Sequence, residues 1–262
     1  MSNESIEELR QKLNETKNVA IFVDFDNIYY SLKDFGIVMG EGSYDIFKIL
    51  NDIYTKEKIR VFKAYADFEQ VRVSFKWLQD NRVQIRNVFG NGLEENSRKN
   101  ASDIELSIDA IEAFYRKPEV DTFVFVTSDS DMIPVMNKLM FDGKKVHLYY
   151  IDEHTSQYQS LNNMCNLSIE LVDMLEIDRE RGTLSYWIDD AKKAIDGWYT
   201  EPRNLGKTLG GRWLQTLLCE KLGLTKDKSD KLVRFLEEEG HIFEGRNEMG
   251  NKYYKTIKTH IV

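Results

Sequence analysis

Aspartates recur in three short stretches of the chain: VDFDN at 23–27, KNASD at 99–103 and TSDSD at 127–131. Carboxylates are hard oxygen ligands suited to Mg²⁺ or Mn²⁺. An ion held this way could activate water and stabilise charge on a phosphodiester undergoing in-line displacement. Asp24, Asp103 and Asp129 are the candidate ligands, backed by Asn27 and Asp131. Taken singly, each has an ordinary structural explanation. Asp103 stands where a helix should start, and Thr127, Ser128 or Asp129 could cap a helix opening near Ser130. Asp26 reads as a loop residue facing water. Only convergence would make them a site. Cys165 and Cys219 lie far apart and the four histidines are scattered, so no cysteine zinc centre or disulfide framework is expected. No histidine is an obvious general base, which favours metal-activated water.

Convergence depends on the elements that carry these residues. Near-continuous apolar runs, VAIFVD (19–24), IRVFKAY (59–65), VQIRNVF (83–89), DTFVFVT (121–127) and KVHLYY (145–150), with SIELV (168–172) as a further candidate, read as buried strands. A short amphipathic opening helix and helical stretches near 43–56, 68–80, 102–116, 130–141 and 155–163 accompany them. This alternation predicts an α/β fold with a mostly parallel sheet covered by helices. In such sheets the active crevice lies beyond the carboxyl ends of the strands, where strand order reverses, so the turns after Asp24 and Thr127 can meet. In 99–116 the helical period gives two apolar stripes: Ile104, Ile108, Ile111 and Tyr115, and Leu106, Ala110 and Phe114. Asp103 falls in the second stripe, where a lone carboxylate is costly unless paired or metal-bound. Asp109 falls with Glu105, Glu112 and Arg116 on the polar face, turned outward.

The three motifs, in this order and spacing, resemble the NYN domain, a PIN-like ribonuclease fold, over roughly residues 18–178; SLNNMCNLSIELVDML resembles the end of that domain. The resemblance implies a three-layer PIN-like domain and metal-dependent endonuclease chemistry on RNA. Asp24, Asp103 and Asp129 would be the principal metal ligands, Asn27 would orient ligands or water, and Asp131 would complete the acidic ring. The family often has Ser-Gly-Asp in the last motif, where this chain has Thr127-Ser128-Asp129. The alternative reading is a non-catalytic RNA-binding or regulatory scaffold. A DNA-directed nuclease is a weaker third, and the absence of a Walker-type loop argues against a nucleotide-driven motor.

A polyanion needs cations near an acidic site. Arg82, Arg86, Arg98 and Lys99 are the candidates in the first part, with the loop GNGLEENSRKN (90–100) gripping a phosphate backbone through Arg98 and Lys99. The charged segment IDRERGTL suggests a boundary, giving a nuclease-like domain at 1–178 and a second domain at 179–262. Net charge divides as −11 and +3 across that boundary. Three helical stretches followed by HIFEG and KYYKTIK suggest a winged helix similar in architecture to LOTUS modules, with Arg212 and Lys252 as nucleic-acid contacts. Glu237, Glu238 and Glu239 would repel phosphate, so a protein partner or self-association is the competing role. No apolar run approaches membrane-spanning length and the N-terminus is not signal-like, so a cytoplasmic protein is expected; the resemblance implies RNA, single-stranded for preference, as its partner.

Overall fold

A computed structural model describes residues 15–40, 44–71, 73–88, 99–152 and 164–257, with 9, 11 and 13, and of these only the backbone at 99–101. Backbone packing divides the chain into two units, one of residues 1–31 and 39–177, the other of 32–38 and 178–262.

The first unit is an α/β fold built on six strands: β1 (Val19–Asp24), β2 (Ile59–Ala66), β3 (Gln84–Asn87), β4 (Thr122–Val126), β5 (Lys145–Tyr150) and β6 (Leu167–Glu170). Their order is β3-β2-β1-β4-β5-β6, and every pair is parallel. Strand order therefore reverses between β1 and β4, which places the crevice beyond the ends of these two strands. All six residues of β1 and all five of β4 are buried, as expected of central strands covered on both faces.

Strand alternation distributes the side chains of β1 between two helical layers. On one face Ala20 and Phe22 pack with Phe123 and Phe125 against α4 (Lys99–Arg116) and α5 (Ile133–Phe141). Asp24 continues that face at the top of the strand. The other layer holds α1 (Phe25–Lys33), α2 (Ile46–Tyr54) and α3 (Phe75–Asp80), joined by an aromatic cluster of Phe25, Phe47, Phe68 and Trp77. Phe25, Phe47 and Phe68 are buried core residues, and Trp77 is half-buried beside them.

Two elements depart from the sequence pattern. Helix α1 follows β1 without a connecting loop, so Asp26 and Asn27 stand in a first helical turn rather than in a loop. Asp24 accepts a hydrogen bond from the Asn27 N–H at 3.4 Å and thus caps the helix that follows its own strand. Helix α3 starts only at Phe75, where the Ser74 hydroxyl caps it, rather than near residue 68. The predicted opening helix falls almost wholly, and the predicted helix at 155–163 entirely, outside the described residues.

Helix α4 chooses between its two apolar stripes. Leu106, Ala110 and Ala113 are buried against the sheet, whereas Ile104, Ile108 and Tyr115 are 59%, 60% and 68% exposed. Small alanines permit close approach of the helix to large ring residues on the strands. That choice turns Asp103 inward.

The second unit contains α7 (Ile188–Thr200), α8 (Gly211–Leu222) and α9 (Lys226–Glu238), then an antiparallel pair, β7 (Ile242–Arg246) and β8 (Lys252–Thr256). Trp187, Ala191, Ile195, Leu214, Leu218, Leu232 and Leu236 form its core. Gly245 is required by the hairpin: a Cβ there would lie 2.5 Å from the Tyr253 ring across the register. Residues 32–38 cluster with this unit because Arg181 donates to the Phe35 and Gly36 carbonyls and the Phe35 ring faces the Lys228 ammonium. A short helix, α6 (Leu171–Met174), closes the first unit.

Candidate active site

Asp24 is nearly inaccessible to solvent at the carboxyl end of β1. Its Oδ2 accepts a hydrogen bond from the Thr127 hydroxyl at 3.1 Å, and the same hydroxyl oxygen accepts the Asp129 N–H at 3.1 Å. One buried threonine thus ties the β1 carboxylate to the turn after β4. Asn27 makes a second tie, its side-chain oxygen accepting the Ser128 N–H at 3.0 Å. Ser128 completes the lock by accepting the Ile151 N–H beyond β5 at 2.9 Å. Where the resemblance leads one to expect glycine, the serine hydroxyl anchors the loop to the next strand.

The half-buried Asp103 at the start of α4 meets Asp24 from above the sheet. Burial and the charge of Asp103 raise the proton affinity of Asp24, against the opposing bonds from Asn27 and Thr127. Asp103 is raised likewise, by burial first and by the charges of Asp129, Asp131 and Asp26, while a hydrogen bond with Asp24 works in the other direction. Asp26 is also pulled in. It accepts the Asp67 N–H at 3.0 Å, and burial lifts it to about 6. The reading of Asp26 as a loop residue facing water is therefore corrected: the helix that begins at Phe25 swings it against the end of β2.

Asp129 spends one oxygen capping the short 3₁₀ turn 130–132, accepting the Asp131 N–H at 2.9 Å, and Asp131 is exposed. The structural explanation of Asp129 and its place in the acidic group hold together. The five candidate residues Asp24, Asn27, Asp103, Asp129 and Asp131 converge on one crevice.

Their fit to a divalent ion can be judged from the donor set. Among the described residues, no three Asp, Glu, His or Cys side chains stand close enough together to hold one ion between them. Two facing carboxylates that repel each other are nonetheless suited to a cation such as Mg²⁺, which is usually bound through one or two carboxylates, several waters and substrate phosphates. The donor chemistry fits, with Asp24 and Asp103 as the inner pair.

Of the expected nucleic-acid contacts, Arg86 lies on β3 and donates its Nε to Asp109 at 3.2 Å. Asp109 is the clearest correction to the sequence reading. It is buried, accepting the Tyr65 hydroxyl at 2.7 Å and the Lys63 ammonium at 2.9 Å besides Arg86. Helical period alone put it with the polar face; strand β2 brings two partners of opposite character to cover it. Lys63 in the buried middle of the strand was the available signal, because a lysine there requires a counter-charge. Arg98 lies outside the described residues, and Lys99 opens α4, where only backbone is described. In the second unit Arg212 is exposed on α8, and Lys252 is paired with Glu244 at 2.7 Å.

Comparison with known proteins finds 29% identity over 126 residues to an uncharacterized protein of Methanocaldococcus jannaschii, covering 48% of this chain and 51% of that protein. The chain thus spans about half the length of this curated relative. Among solved structures, a protein of unknown function from Vibrio parahaemolyticus is similar with a TM-score of 0.47 and 22% identity, covering 60% of this chain and 94% of that one. The NYN domain matches residues 18–173, more than half of the chain and all of the acidic crevice, and the chain belongs to the NYN domain family.

Proposed function

We propose that the first unit is a divalent-metal-dependent endoribonuclease domain acting on single-stranded RNA, with Mg²⁺ or Mn²⁺ as its ion. One observation carries this reading: the carboxylates of Asp24 and Asp103 face each other at the point where strand order reverses, in a family of PIN-like nuclease character. Asp24 and Asp103 would hold the ion, with the charge of Asp129 beside them rather than as a third direct ligand. The chemistry an ion supplies there is neutralisation of phosphate charge and acidification of water. The chain's own residues supply order. Thr127 fixes the rotamer of Asp24, Asn27 fixes the turn that carries Asp129, and Asp131 extends negative charge to the rim. Cations at Arg86, Arg98 and Lys99 would draw the polyanion toward the crevice. The second unit would act as a winged helix that recruits RNA through Arg212 and Lys252, the competing role being protein contact or self-association on the side of Glu237, Glu238 and Glu239.

Cleavage of a mixed, labelled single-stranded RNA by the full chain and by Asp103→Asn, in EDTA, Mg²⁺ and Mn²⁺, tests the reading. Wild type is expected to cut only with added metal, and the variant to bind RNA but cut at least a hundredfold more slowly, the scale of loss when a group acting on transition-state charge is removed. If both proteins bind equally and neither cuts, the non-catalytic scaffold is the correct reading. Parallel assays with single-stranded and flap DNA separate a DNA-directed enzyme.

A further inference from the structure

Beside the acidic crevice, the same face of the sheet carries a charged cluster of a different balance. Asp24, Tyr65 and Arg86 are register partners on three adjacent strands. Neighbouring parallel strands lie about 4.8 Å apart, so the backbone of Arg86 stands about 10 Å from that of Asp24. Register partners share a face, and here that face is covered by α4, whose Asp109 receives Tyr65, Lys63 and Arg86 on a single oxygen, Oδ2.

The cluster holds two cations against one carboxylate. The Lys63 side chain is nearly buried, so its charge is spent on Asp109. The Arg86 side chain is 48% exposed and anchored through Nε, the inner edge of its guanidinium. Among the described residues its two terminal nitrogens have no polar partner. An arginine held by its inner edge presents a rigid pair of donors to solvent, the geometry that matches a phosphate. Burial of a carboxylate opposes its ionisation, yet the bonds from Tyr65 and Lys63 and the two positive charges hold Asp109 below its ordinary value. The Asp109 carboxylate is therefore ionised at neutral pH.

We propose that Asp109 is a positioning residue that, neutralised by Lys63, fixes Arg86 as a phosphate-binding site beside the acidic crevice, its ligand a backbone phosphate of single-stranded RNA neighbouring the reacting one. This assignment rests on the ribonuclease reading above. It gives the crevice a polarity: the RNA strand crosses from the carboxylates of β1, α4 and the turn after β4 toward the β3 edge, where Arg86 receives it.

The sign of one substitution separates positioning from bulk charge. Asp109→Asn makes the protein more positive by one unit. If Asp109 were only a counter-charge, this would strengthen RNA binding. If it positions Arg86, binding weakens although net charge has moved the other way. The experiment is fluorescence anisotropy of a labelled, mixed-sequence single-stranded RNA with the full chain in EDTA, across a salt series, with circular dichroism to verify folding. Arg86→Gln is expected to weaken binding about tenfold and to reduce the salt slope by about one. Asp109→Asn is expected to weaken it by a similar factor. Binding by Asp109→Asn at or above wild-type strength overturns the positioning role, and an unchanged Arg86→Gln overturns the site. Should Asp109→Asn fail to fold, Arg86→Lys carries the test. It keeps the charge but cannot span Asp109 and a phosphate together, so a loss of about threefold or more is expected and wild-type affinity overturns the clamp. Absence of RNA binding by the wild-type chain at low salt removes the ribonuclease reading itself. Binding that survives Arg86→Gln removes only the phosphate site.

Discussion

The acidic crevice is organised by hydroxyl and amide groups as much as by its carboxylates. Thr127 serves Asp24 and the Asp129 N–H with one oxygen, and a buried group so shared has no cheap substitute. Thr127→Val, which keeps shape and removes both bonds, is expected to cost about 1–3 kcal/mol of stability by leaving a polar group unsatisfied. RNA cleavage should fall at least tenfold as the Asp24 carboxylate loses its orienting donor. Thr127→Ser retains the hydroxyl and should recover most of both. Denaturant midpoints and single-turnover rates on the three proteins check this, and a valine variant as active as wild type would show that Thr127 is filler. Asn27 belongs with Thr127 rather than with the carboxylates, since its side-chain oxygen is committed to the Ser128 N–H.

At the scale of elements, α4 decides the geometry of the site. Its sequence offers two apolar stripes of similar length, and rotation of the helix by about 130°, more than a third of a turn at 100° per residue, would exchange which one met the sheet and carry Asp103 away from Asp24. Packing resolves the choice in favour of Leu106, Ala110 and Ala113, with Met136 and Leu139 of α5 in the same cluster. Leu106→Ala should therefore destabilise the protein by about 2–5 kcal/mol, the range for a fully buried leucine. Ile108→Ala, two residues on but 60% exposed, should change stability by about 0.5 kcal/mol or less. Equal effects from the two variants in a urea titration would mean that the helix sits in the other rotation.

For the molecule as a whole, pH reveals a buried histidine far from any proposed chemistry. His147 on β5 is held neutral in the core, its Nδ1 2.9 Å from the Tyr54 hydroxyl, which in turn accepts from Tyr149. Burial first, then the charge of Lys145, lower its value from 6.5 to about 4, against a small opposing influence of Asp121. The unfolded chain takes up this proton near 6.5 and the folded chain only near 4, so stability from this group is complete above 6.5 and is lost as pH falls toward 4. The loss amounts to about 3 kcal/mol. Asp24, Asp26 and Asp103 are shifted upward and act with the opposite sign, so the effect is read as a difference. Relative to wild type, His147→Gln should be most destabilised above pH 6.5 and should close the gap by about 3 kcal/mol on acidification to pH 4. A constant gap would mean that the histidine already titrates with solvent. Charge also redistributes at this scale. Among the described residues of the second unit, four cations are paired locally, in Lys252–Glu244, Arg203–Glu201, Lys193–Asp190 and Lys231–Asp227, which leaves its net positive charge unchanged.

The sequence by itself determined the strands, because central parallel strands are apolar on both faces and β1 and β5 are bounded as their runs are written. It also determined that Asp24 and the 127–131 turn share an edge of the sheet, since both follow strands of one parallel set. Period could not decide which face of α4 is buried, nor that α1 begins at once after Asp24, because both depend on what the rest of the chain packs against them. Asp109 illustrates the limit most directly. Its neighbours along the helix are polar, and only the pairing of β2 with β3 assembles Lys63, Tyr65 and Arg86 around it from 23 to 46 residues away. Local pattern records the chemistry a residue carries, whereas burial and partnership belong to contacts between distant segments, which only the tertiary structure supplies.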